Sequence, residues 1–140
     1  MTCVFSFRVR PRIVPWSYTT GVFLFPIENA VEQLKITCPK WGEEFQWLIN
    51  EDCRIGVFLD EMTLEEEKLV LDALKQGYQK CCDAEYEKKY FVNYSIYQFL
   101  VEKYKELIDM IEEEIRDIER GKLILQEDGT AILNEDFKED

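Results

Sequence analysis

KYKELIDMIEEEIRDIERG, residues 103–121, decides the reading of the fold. It carries seven acidic and four basic side chains threaded onto an apolar stripe. With the residues just before it, Leu100, Tyr104, Leu107, Ile108, Ile111, Ile115 and Ile118 recur at intervals of three and four. That period belongs to a helix with one face on a core. Ser95 and Gln98 have the spacing of a capping box, so the helix is expected from about 96 to 120, roughly 37 Å long. Gly121 suits the left-handed position that closes it. On the side away from the stripe lie Glu102, Glu106, Asp109, Glu113 and Asp117, one carboxylate per turn.

A partner for this helix precedes it. Thr63 and Glu66 form a second capping box, and Glu65, Glu66 and Glu67 sit where the helix dipole favours negative charge. Val70, Leu71, Leu74, Tyr78 and Cys81 or Cys82 then mark the inner face of a helix over about 64–82. Shorter helices are expected in PIENAVEQLK (26–35) and WGEEFQWLINED (41–52). CVFSFRVR (3–10) alternates like a strand, with Phe5, Phe7 and Val9 on its apolar face. VFLF (22–25) and residues 53–59 read as short buried strands, and KLILQEDGTAILN (122–134) as a hairpin turning at Asp128-Gly129. The expected class is α+β. A small, mostly antiparallel sheet packs against two long amphipathic helices and shorter ones, in a single domain over 1–140 with a loose acidic tail at 135–140.

The chain has no histidine, which removes Ser-His-Asp and Cys-His catalysis and any His-ligated metal. Five cysteines, an odd number without a CxxC, point to reduced structural thiols. No apolar run reaches the roughly 20 residues of a membrane span. The N-terminal charges follow the apolar stretch, the reverse of a secretory signal, so a cytosolic protein is expected. Net charge is −12, unevenly placed: residues 1–60 hold six cations against seven anions, and residues 61–140 eleven against twenty-two. Nucleic acid and anionic membrane are therefore poor direct partners.

The acidic helix is either the solvated side of an acidic protein or a ridge for a basic protein partner. Tyr86, Tyr90, Tyr94 and Tyr97 recur at near-helical spacing and suit either a core edge or a partner contact. Arg8, Arg10 and Arg12 could protect an edge strand, grip an anion or pair with the chain's own acidic helices. Trp16, Trp41 and Trp47 lie near loops or helix starts, and Trp47 falls off its helix's apolar face. The expected function is an acidic protein-binding module without a cofactor. Glu102, Glu106, Asp109, Glu113, Asp117, Tyr90, Tyr94 and Tyr97 would be its contact residues. An immunity protein that neutralises a toxin fits this description, as does a nucleic-acid-mimic inhibitor of a defence complex. The alternative is a small enzyme using carboxylate acid–base or magnesium-dependent chemistry. A homo-oligomer is compatible with either.

Overall fold

This computed structural model describes residues 2–9, 16–83 and 94–138. β1 (Thr2–Ser6) lies between β2 (Trp16–Thr19), antiparallel to it, and β3 (Gly56–Phe58), parallel to it. A second, two-stranded antiparallel sheet comprises β4 (Leu123–Leu125) and β5 (Ala131–Leu133). The helices are α1 (Thr20–Thr37), α2 (Pro39–Asn50), α3 (Leu64–Cys81) and α4 (Tyr94–Arg120). The fold is α+β, with its two long amphipathic helices, α3 and α4, where the periodicity puts them.

The hydrophobic period explains the layers. α1 buries Phe23, Leu24, Ile27, Ala30, Val31 and Leu34, and packs against α2, α3 and α4. α4 contributes Tyr104, Leu107, Ile108 and Ile111 to the same core, all buried. Tyr104 sets its ring edge-on to Phe25 and Tyr78, and its hydroxyl donates to the Leu74 carbonyl. Cys3 and Phe5 from β1, and Phe7 just beyond it, enter the same core, with Trp16 from β2 edge-on to Phe5. The Trp16 indole N–H donates to the Lys103 carbonyl at 2.9 Å, tying the sheet to α4.

The capping box at the start of α3 forms as read: Glu66 N–H donates to Thr63 Oγ1 (3.1 Å) and Thr63 N–H to Glu66 Oε1 (2.8 Å). Gly121 ends α4 in left-handed backbone at φ 85°. α4 is described from Tyr94 onward, which includes the expected start near 96. Arg10, Arg12, Tyr86 and Tyr90 lie outside the described residues.

Three local expectations are corrected. VFLF is not a strand but part of α1, because Phe23 begins the same apolar stripe that continues through Ile27, Ala30 and Leu34. Four apolar residues alone fit either period, and Pro26 lies inside the helix, where it gives up the hydrogen bond to the Val22 carbonyl. β1 is the central strand of its sheet, so Arg8 just beyond it does not guard an edge. Finally, Cys3 and Cys53 are joined in a disulfide. Parallel pairing of β1 with β3, anchored by Val4 N–H to the Ile55 carbonyl at 2.9 Å, brings their Cα atoms to 6.6 Å. Cys38 and Cys81 are free and buried, and Cys82 is free and exposed. Among the described residues, no helix is long and apolar enough to cross a membrane.

Candidate protein-binding surface

α4 sorts its charges by direction. Glu102, Glu106, Asp109, Glu113 and Asp117 are spaced four, three, four and four apart, which keeps them within roughly 80° of arc along about 22 Å of helix. This ridge lies opposite the buried stripe. Two members are engaged by neighbouring lysines. Glu106 is half-buried, accepts from the Tyr18 hydroxyl at 3.0 Å and pairs with Lys103 at 3.2 Å. Asp109 pairs with Lys105 one turn back. Burial, then the Glu106 carboxylate, holds the Tyr18 hydroxyl above the usual tyrosine range. Among the described residues, Glu102, Glu113 and Asp117 pair with no cation.

The flank of α4 that meets α3 is neutralised. Lys75 pairs with Glu112 at 2.6 Å, and Lys68 reaches both Glu119 (3.1 Å) and Glu65 (3.6 Å). The carboxylates of Glu119 and Glu65 hold the Lys68 ammonium above its usual range. Lys68, Lys75, Glu112 and Glu119, together with Leu71, Ile115, Arg116 and Arg120, line an open groove of about 530 Å³ between the two helices. Its mixed charge suits neither a purely anionic nor a purely cationic ligand.

A third set of carboxylates points inward. Arg8 is fully buried just past β1, and its Nε donates to Glu67 Oε1 at 2.7 Å. Its two terminal nitrogens donate to the carbonyls of Met62 (2.7 Å) and Gly129 (2.8 Å). The Arg8 backbone N–H donates to Glu114 Oε2 at 3.0 Å. One arginine, through its guanidinium and its backbone N–H, thus ties the start of α3, the middle of α4 and the β4–β5 turn. Burial pushes the Glu67 carboxyl up to about 8, and the Glu114 charge adds to this against the pull of Arg8. Glu67 is therefore largely protonated at neutral pH. Two buried carboxyls facing one arginine resemble an acid–base pair, but both are sealed from solvent. Among the described residues, no group of carboxylates and thiols could hold a metal ion.

Of the tyrosines expected at a contact surface, Tyr97 is buried, edge-on to Phe25, and its hydroxyl donates to the Cys81 carbonyl. Tyr94 is the first residue of α4, and Tyr90 lies outside the described residues. Trp16 and Trp41 are buried, whereas Trp47 stands 45% exposed on the outer face of α2 beside Lys40, Glu43 and Glu44. The Arg8–Glu67–Glu114 cluster had no signal in the spacing of the sequence, since its members are 59 and 106 residues apart. No protein-family model matches the chain, and no curated protein or solved structure matches it.

Proposed function

We propose that the outer ridge of α4 covers a basic surface on a partner protein. The observation that carries this reading is the alignment of Glu102, Glu106, Asp109, Glu113 and Asp117, three of them without a cation among the described residues. α4 holds the ridge rigid, because its opposite face is buried along much of its length. Desolvating unpaired carboxylates against lysine or arginine gives complementarity, and the net charge of −12 steers such a partner in from a distance. The free carboxylates are sparser than phosphates spaced about 3.4 Å along a strand. This favours a protein inhibitor, of the toxin-neutralising kind, over close mimicry of nucleic acid. The proposed compartment is the cytosol, where the Cys3–Cys53 pair would face reducing conditions.

Replacing Glu102, Glu113 and Asp117 with lysine tests the reading, because none of the three supports the fold. Wild-type and triple-variant chains are immobilised and exposed to lysate of the native host at low and high salt. The wild type is expected to retain a basic protein at low salt and release it at high salt, while the variant retains at least tenfold less at low salt. Equal retention by the two chains would remove the ridge as the contact surface.

A further inference from the structure

The disulfide is placed where it governs one loop. Residues 51–55 connect α2 to β3, and only Cys53 among them is buried; Glu51, Asp52, Arg54 and Ile55 are exposed. On either side the chain is anchored in the core, by Leu48 before the loop and by Val57 and Leu59 after it. The loop itself is tied by its backbone and by one sulfur. Cys53 N–H donates to the Leu48 carbonyl at 2.7 Å, Asp52 N–H to the Ile49 carbonyl at 3.2 Å, and Val4 N–H to the Ile55 carbonyl at 2.9 Å. The Arg54–Glu51 pair, at 3.8 Å on the surface, adds little.

The backbone of this loop runs against side-chain preference. Among the described residues, the non-glycine residues with positive φ all lie here: Asp52 (51°), Cys53 (66°) and Ile55 (85°). Aspartate tolerates the left-handed region, whereas cysteine and above all the β-branched isoleucine are disfavoured there. Ile55 gains no burial in return, since it is 64% exposed. Gly56 follows so close to β1 that a β-carbon on it would sit 1.8 Å from the Val4 carbonyl oxygen. Such a conformation persists only where its surroundings impose it. The bond from Cys53 supplies that constraint, because Cys3 sits in the central strand of its sheet, in register with Tyr18 of β2.

We propose that Cys3–Cys53 is a redox latch: the closed bond holds residues 51–56 against β1 in left-handed backbone, and reduction frees this loop while the helical core keeps its fold. The reductant is a dithiol. One of its thiolates attacks a sulfur of the bond, and the other cysteine leaves as a thiolate that takes up a proton. The second thiol of the reductant then displaces the mixed disulfide. Two electrons and two protons pass to the chain, which ends with two thiols, and the dithiol ends as a disulfide. Both cysteines are sealed from solvent, so attack waits for the loop to open. Cys53 is the side that moves, since Cys3 is held by its pairing with β2.

The other cysteines make the test internal. Cys38 and Cys81 are free and buried in the helical core, and Cys82 is free and exposed. The full chain purified in air is expected to take three alkyl groups when denatured, and all five after dithiothreitol. For the reduced chain, a short pulse of iodoacetamide under native conditions, mapped by peptide mass, reads the loop. Cys53 is expected to be labelled at least about tenfold faster than Cys38 and Cys81, as a local opening requires. Ile55→Gly, which removes the left-handed penalty at an exposed site, is expected to slow the labelling of Cys53 in the reduced chain. Five adducts from the start, or Cys53 labelled no faster than Cys38 after reduction, overturns the proposal. Equal, rapid labelling of Cys38, Cys53 and Cys81 also overturns it, because the bond then holds the whole fold and not one loop. Labelling of Cys53 undiminished in Ile55→Gly overturns the backbone as the source of the release.

Discussion

Glu112, Glu113 and Glu114 follow one another on α4 and meet three environments: Lys75 across a groove, open solvent, and the backbone of Arg8 in the core. A helix turns about 100° per residue, so consecutive identical side chains cannot share a role. The acidity of the stretch was legible in the sequence. The inward direction of Glu114 was not, because its partner lies 106 residues away. Glu67 is the member with a measurable consequence. Its folded-state pKa of about 8 lies above the ordinary value of 4.5, so the native state binds a proton that the unfolded chain has already released. Its contribution is fully present below pH 4.5 and is lost as pH rises towards 8. In that window the slope approaches one proton, about 1.4 kcal/mol per pH unit. Glu67→Gln keeps a donor at the site without titrating, and urea denaturation at several pH values is expected to show this part of the slope gone. An unchanged slope would mean that Glu67 is already ionised in the native state.

At the scale of elements, long periodic segments were readable and short apolar ones were not. The boundaries of α3 and the end of α4 follow from a capping box and a glycine, local signals that need no tertiary context. VFLF carried no such signal, and its place in α1 was decided by the stripe it continues. The contact between α1 and α3 depends on Gly77. A β-carbon there would sit 2.5 Å from both the Asn29 carbonyl oxygen and the Tyr104 hydroxyl. Gly77→Ala gains about 1 kcal/mol in helix propensity but overpacks a backbone contact at a cost of about 1–3 kcal/mol, so a net loss of stability is expected. Gly21→Ala, at a position with nothing within 4 Å, should match or exceed the wild type. Thermal melts of the two variants check the pair, and equal melting points would show that the helices can move apart freely.

For the molecule as a whole, hydrophobic periodicity pointed correctly to an α+β class, and the charge count to an asymmetry that the structure resolves into a ridge, a neutralised flank and a buried cluster. The Cys3–Cys53 bond escaped notice because fifty residues separate its ends and only the β1–β3 pairing joins them. Closing a loop of that length restricts the unfolded chain, and reduction or a Cys3→Ser, Cys53→Ser double variant is expected to lose about 2–4 kcal/mol. An unaltered denaturation midpoint after reductant would show that the link does not contribute. The Arg8 clasp bears on synthesis. Its acceptors at Met62, Glu67, Glu114 and Gly129 follow it by 54, 59, 106 and 121 residues. A ribosome delivering about 5–20 residues per second exposes Arg8 many seconds before Gly129 emerges. During that interval the guanidinium has no complete set of acceptors and belongs in water, so the nascent amino-terminal half has to wait, unsealed, for the last hairpin to arrive.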